Sequence, residues 1–181
     1  MRVIAGRARG VRLEEPGDLA IRPTLDRVRE ALFSILGPRL PRAHFLDLFA
    51  GTGANGIEAI SRGAASATFV DSHPRAVALI RRNLAKAGLH TDGRVLLLSV
   101  PEELPLIRRG DTRYDIVFAD PPHAFNDFAG LLDGLAAGDL LAAQGVVVLE
   151  HDPRAAAPDA VGGLSRYRMA RYGRTALSFF S

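Results

Sequence analysis

Residues 44–63, HFLDLFAGTGANGIEAISRG, decide how the rest of the chain is read. A compact apolar run leads into the glycine-rich AGTGANG, which predicts a strand, a tight loop and a helix over 54–62 that stops at Gly63. The same rhythm repeats downstream. ATFVD is a second strand; Pro74 then sits where a first helical turn tolerates it, Val77, Ile80 and Leu84 mark a buried face, and Gly88 stops the helix. RVLLLSV, a helical stretch around 101–109, YDIVFAD broken at Pro121-Pro122, a helix over 127–137 and GVVVLE complete five strand units with helices between them. Such alternation predicts an α/β fold, an open parallel sheet covered on both faces. The last stretch, LSRYRMARYGRTALSFF, is two alternating runs around Tyr172-Gly173, an antiparallel hairpin closing one edge.

Upstream, RVIA (2–5) and GVRL (10–13) flank GRARG and predict a hairpin, or a strand followed by an ordered loop. Residues 14–22 show no periodicity, while Leu25, Val28, Leu32 and Ile35 recur at helical spacing from Thr24 to Gly37-Pro38. The chain has 181 residues, 48% hydrophobic and 24% charged, which is the composition of one globular unit with one core. Disulfides, thiolate metal sites and cysteine nucleophiles are excluded by the absence of cysteine, and the five histidines show no metal-ligand spacing, so no metal is expected. No apolar stretch approaches the roughly 18 residues of a membrane span, and MRVIAGRARG lacks the apolar core of a secretory signal, so a cytoplasmic location is expected.

The formal charge of +3 divides unevenly. Residues 1–42 hold nine arginines against five acids, a net of +4, and the remaining residues sum to −1. Of the 23 basic residues only Lys86 is lysine, and the planar guanidinium fork suits phosphates and base edges. A basic extension over 1–42 and a cofactor-binding domain over 43–181 are therefore expected.

Two constellations carry chemistry. In Gly51-Thr-Gly53-Ala-Asn-Gly56 a G-x-G-x-x-G follows a strand and opens a helix, so main-chain N–H groups can face a ligand. Asp71 ends the next strand 20 residues after Gly51, where a carboxylate can accept both hydroxyls of an adenosine ribose. Asp47 at the end of the first strand suits a cationic ligand better than an anionic pyrophosphate, which favours S-adenosylmethionine over a nicotinamide dinucleotide. The other reading of Asp47 is a loop cap accepting backbone N–H bonds. The second constellation is Asp120-Pro121-Pro122-His123 at the fourth strand end. A carboxylate and a rigid backbone carbonyl there can accept both N–H groups of an exocyclic amine and aim its lone pair at a methyl donor, with His123 offering a face for a flipped base.

These residues resemble class I S-adenosylmethionine-dependent methyltransferases. The runs RVIAGRARGVRL, RPTLDRVREALF, DLFAGTGANGIEAISRGA, ADPP and RYGRTALSFF, spread over essentially the whole chain, resemble the RsmD family of bacterial 16S ribosomal RNA guanine-N2 methyltransferases. The resemblance implies a Rossmann-like, mostly parallel seven-stranded sheet with helices on both faces, a C-terminal antiparallel hairpin and an N-terminal hairpin-and-helix extension. It implies methylation of a guanine N2 amine in 16S rRNA of the small subunit or its assembly intermediate, by a monomer that uses no membrane. On this resemblance catalysis is expected to fall to Asp120, Pro121, Pro122 and His123. The methyl donor falls to Asp47, Phe49, Ala50, Gly51, Thr52, Gly53, Gly56, Asp71, Ser72, Ser99 and Val100, and RNA contact to Arg2, Arg7, Arg9, Arg12, Arg22, Thr24, Arg27 and Arg29. The chain departs from the family pattern in three places: His123 replaces Tyr or Phe, with Phe125 or Phe128 as candidates for the missing ring, Ser99-Val100 stands where relatives carry an acid for the adenine amine, and Asn55 replaces an apolar residue. Alternatives are an adenine-N6 or protein-amide methyltransferase, a non-catalytic RNA-binding assembly factor with this fold, and a nicotinamide-dependent oxidoreductase.

Overall fold

The computed structural model describes residues 1–17, 26–108 and 110–181. Its elements are α1 (Asp26–Leu36), β1 (His44–Leu48), α2 (Ala54–Ser61), β2 (Ser66–Asp71), α3 (Pro74–Lys86), β3 (Gly93–Leu97), β4 (Tyr114–Ala119), α4 (Phe128–Ala137), β5 (Leu141–His151), β6 (Ala160–Val161), β7 (Leu164–Tyr172) and β8 (Thr175–Phe180). They build one sheet in the order β3-β2-β1-β4-β5-β8-β7-β6. The first five strands run parallel because each connection crosses back over a face, whereas β8 is antiparallel to both β5 and β7. Strand order turns around between β1 and β4, the point at which open α/β sheets bind ligands beyond their carboxyl ends.

The two faces follow the period-two alternation of strand side chains. Phe45, Phe69, Ile116, Phe118, Val146 and Val148 point to one side and pack with α1, α2, α3 and the N-terminal residues Val3, Ala8 and Leu13. Leu46, Leu48, Val70, Val117, Ala119, Val147 and Leu149 point to the other, against Leu131, Leu132 and Leu135 of α4. The N-terminal segment thus shares a core with the sheet.

Three expectations are corrected in detail. The expected seven strands become eight among the described residues, because the two-residue β6 pairs with β7. The helical stretch expected around 101–109 is a single 3₁₀ turn over Leu104–Ile107, since Pro105 lacks the N–H that a longer helix needs. β5 begins at Leu141 rather than with GVVVLE, since Leu141 pairs with Tyr114 before a register shift brings Val146 opposite Ile116. No helix among the described residues is long and apolar enough to cross a membrane.

Residues 1–13 form the expected hairpin in outline, with an antiparallel bridge between Arg2 and Arg12. The Val3 N–H donates to Val11 O at 3.0 Å and the Leu13 N–H to Met1 O at 3.1 Å. This arm is fastened to α2. Glu58, fully buried, accepts from the Ile4 and Ala5 N–H groups at 2.8 and 2.9 Å and from Arg62 Nε at 2.7 Å. The Ser61 hydroxyl accepts from the Ala8 N–H at 3.0 Å and donates to Ala5 O at 2.6 Å. Gly6 makes the close approach possible: its φ is +83°, and a Cβ there would lie 1.8 Å from Ser61 O.

Candidate active site

Parallel pairing aligns the carboxyl ends of the central strands, with Leu48 opposite both Val70 and Ala119. The residues immediately beyond, Phe49, Asp71 and Asp120, therefore converge at one edge. The glycine-rich loop is closed there by backbone bonds: Ala50 N–H to Val70 O at 3.0 Å and Gly53 N–H to Ala50 O at 2.7 Å. Phe49, Gly51 and Gly53 have φ of 57°, 56° and 76°. A phenylalanine held in left-handed backbone is strained by about 1–3 kcal/mol, a cost that folded proteins concentrate at functional sites.

Asp71 stands where the sequence places it, although its oxygens already accept from Gly51 N–H at 2.8 Å and His73 N–H at 2.9 Å. Each carboxylate oxygen keeps lone-pair capacity for a hydroxyl. Ser72 beside it is exposed. Asp47 is 1% exposed, and its Oδ2 accepts from the Gly56 N–H at 2.9 Å. This is the loop-capping geometry. Burial pushes the Asp47 carboxyl well above the usual aspartate range, the Gly56 N–H pulls it back, and the charges of Asp120 and Asp71 push it further. Three carboxyls thus surround the loop, an arrangement that a ligand carrying an ammonium and a sulfonium relieves and a pyrophosphate worsens.

The direction of that shift has a measurable result. Folding favours protonated Asp47, a contribution fully present below the ordinary aspartate pKa of about 4 and lost as pH rises through the raised value. Asp47→Asn keeps an oxygen for Gly56 and cannot ionise. It is expected to raise the thermal midpoint at pH 8, with the gain over wild type vanishing near pH ~4; a gain independent of pH would contradict this account.

Gly56 has a packing role rather than a ligand-facing one. A Cβ at this position would sit 2.2 Å from Cε1 of Phe69 in β2, so the glycine lets α2 settle on the sheet. Gly56→Ala is expected to cost about 1–3 kcal/mol in urea denaturation. Thr52 is buried, and its carbonyl accepts from Asn83 Nδ2 at 2.9 Å. Asn83, fully buried on α3, also accepts from the Glu14 N–H at 2.7 Å and so ties the loop to the N-terminal arm. Ser99 and Val100 lie past the end of β3; the Ser99 N–H donates to Glu103 Oε2 at 2.7 Å. Glu103 thus brings a carboxylate to the backbone at the end of β3, four residues after Ser99 in sequence.

On the acceptor side Asp120 and Pro121 are half-buried, and Pro122 and His123 are exposed. The Phe125 N–H closes a turn onto Pro122 O at 2.8 Å. The Phe125 ring stands edge-on to Phe49 at 5.6 Å and to Phe128 at 5.7 Å, and Phe128 continues to His151 at 6.0 Å. Phe128 itself is buried at 7% exposure, so Phe125, half-buried, is the ring of this ladder nearest the turn that keeps an open surface. His123 lies instead within electrostatic reach of Asp152, whose carboxyl Arg154 holds far below the usual range.

Of the residues expected to meet RNA, Arg2, Arg9 and Arg27 line one groove of about 370 Å³ between the arm and α1, together with Asp26 and Glu30. Arg12 is exposed beside them, and Arg7 pairs with Asp92. Arg29 is a correction: it is fully buried, donates to Arg2 O at 2.6 Å and Asp26 Oδ1 at 2.9 Å, and its Nε lies 4.0 Å from Glu58, so it holds the arm instead of meeting phosphate. Arg22 and Thr24 lie outside the described residues.

The whole chain, residues 1–181, matches the family described as Conserved hypothetical protein 95. Ribosomal RNA small subunit methyltransferase D of Escherichia coli (strain K12) is 33% identical over 182 residues, covering 99% of this chain and 89% of that protein. The protein of the same name from Haemophilus influenzae is 33% identical over 126 residues, 70% of this chain and 65% of its own. Among solved structures, a hypothetical protein of Thermus thermophilus aligns with a TM-score of 0.84 at 38% identity, covering 99% of this chain and 98% of that one. The resemblance read from the sequence holds over the full length, and the chain belongs to the Conserved hypothetical protein 95 family, the RsmD family of methyltransferases.

Proposed function

We propose that the chain transfers the methyl group of S-adenosylmethionine to the exocyclic N2 amine of a guanine in 16S rRNA, within the small ribosomal subunit or an assembly intermediate. The observation that carries this reading is the placement of Asp120-Pro121-Pro122 one strand from an acid-ringed glycine loop, at the turning point of the strand order. The donor set fits the cofactor: Asp71 for the ribose, the Gly51 and Gly53 backbone, in a loop that Asp47 caps from beneath, for the methionine portion, and the Ser99–Glu103 corner for the adenine. Bound there, the cofactor supplies an electrophilic methyl on a sulfonium.

The chain's own residues position the other reactant. The Asp120 carboxylate and the Pro121 carbonyl accept the two amine N–H bonds, which turns the nitrogen lone pair out of conjugation and toward the methyl. The extra proton leaves through Asp120 to water at the open edge. Phe125, buttressed by Phe49 and Phe128, supplies the stacking face that His123 offers less well, and the strained Phe49 links this face to the cofactor loop. Residues 1–42 serve as the RNA-contacting extension and 43–181 as the catalytic domain. A cytoplasmic monomer is part of this reading, as suits an enzyme acting on small-subunit RNA.

Purified protein with labelled S-adenosylmethionine is expected to methylate small-subunit particles from cells that lack it. Absence of cofactor binding by calorimetry would leave only the non-catalytic assembly factor; transfer to adenine would favour the other amine reading.

A further inference from the structure

We propose that the β7–β8 hairpin is a second RNA-binding surface that grips phosphates beside the target base. The inference rests on the rRNA methyltransferase reading and adds a contact region outside the N-terminal arm. Residues 164–174, LSRYRMARYGR, carry four arginines and no acid, a local charge equal to the net charge of the whole arm in a quarter of its length. The arm is also less cationic than its composition implies: Arg29 is buried, Arg7 pairs with Asp92, and Asp26 and Glu30 share the groove with Arg2, Arg9 and Arg27. In the hairpin Arg166 pairs with Asp159, while Arg168, Arg171 and Arg174 are exposed and form no ion pair among the described residues. Tyr167 and Met169 are exposed on either side of Arg168 in sequence, at 52% and 36%.

Topology brings this charge to the reacting edge. β5 runs parallel to β4, and His151 at its carboxyl end pairs with Ala176, which pairs with Arg171. The turn at Gly173-Arg174 therefore projects from the same edge as Asp120, three strand spacings away, or about 14 Å. Of the two acids at the end of β5, Glu150 is buried and Asp152 is paired with Arg154. A base extruded to reach Asp120 leaves its flanking backbone outside the pocket, and the edge that this backbone meets carries Arg171 and Arg174, with Arg168 farther down β7, level with Val148.

The test measures binding of the full-length protein to unmethylated 16S rRNA and to small-subunit particles across a salt series. The double variant Arg171→Gln/Arg174→Gln is expected to bind on the order of thirtyfold more weakly at 0.1 M salt, and to lower the slope of log K against log salt by about 1.5. Cofactor affinity and thermal midpoint should be unchanged, and Arg171→Lys/Arg174→Lys should recover most of the loss. Arg81→Gln/Lys86→Gln, which removes equal charge from α3, should bind like wild type. Hairpin and α3 variants that weaken alike overturn the proposal, as does a loss confined to assembled particles, which would assign the hairpin to a ribosomal protein. Wild-type methyl transfer with an unaltered hairpin variant sinks this inference alone; no RNA binding by wild type sinks both it and the functional reading.

Discussion

Asp120→Ala is expected to lower kcat for methyl transfer by about 10²–10³-fold, the range for removing one preorganised polar contact to a reacting group. Affinity for S-adenosylmethionine should stay within a few-fold of wild type, because Asp120 sits on the acceptor side of the edge and reaches the loop through its charge on Asp47. Removing that charge relieves like-charge repulsion, so any change in cofactor binding should be small. Single-turnover kinetics together with calorimetry separate the two effects. Equal losses in cofactor affinity and kcat would place Asp120 in the donor site instead.

Glu58→Ala should be the most destabilising single change away from the chemistry, by about 3–5 kcal/mol in urea denaturation. The carboxylate is fully buried and accepts from Ile4, Ala5 and Arg62. Arg29 lies beside it, fully buried, with Nε and Nη1 already lacking hydrogen-bond partners. Deleting Glu58 leaves that cation without its nearest buried countercharge and strands two backbone donors. Since Asn83 joins the arm to Thr52, a loosened arm should also weaken cofactor binding. A loss below about 1 kcal/mol would mean that the arm is held by its apolar contacts alone.

The catalytic half of the fold was legible because its signals are local. Apolar runs of strand length, Gly63 and Gly88 as helix stops and the paired prolines at 121–122 each declare themselves within a few residues, and parallel order follows from the alternation. Side-chain partners distant in sequence were not legible. Arg29 reads as one more cation in a basic segment, and only the fold sets Glu58, 29 residues on, beside it. Asn83 is an unremarkable polar residue on an amphipathic helix until Thr52 and Glu14 close around it. The choice between the two readings of Asp47 needed the Gly56 N–H in place. Glu103 and Phe125 carried weak signals: an acid four residues after Ser99, and the nearest aromatic ring following His123.

Basic composition at the N-terminus pointed to the arm as the RNA grip, yet the fold spends part of that charge internally and gathers four other arginines in a hairpin whose tip meets the reacting edge. A net charge of +3 therefore understates a directional field.

Nucleoside mass mapping of 16S rRNA distinguishes guanine-N2 methyl transfer from the other readings. Cells lacking this protein are expected to lose one N2-methylguanosine from small-subunit RNA, restored by the wild-type chain and not by Asp120→Ala. An unchanged N2-methylguanosine content, or loss of a methylated adenine in its place, would contradict the account.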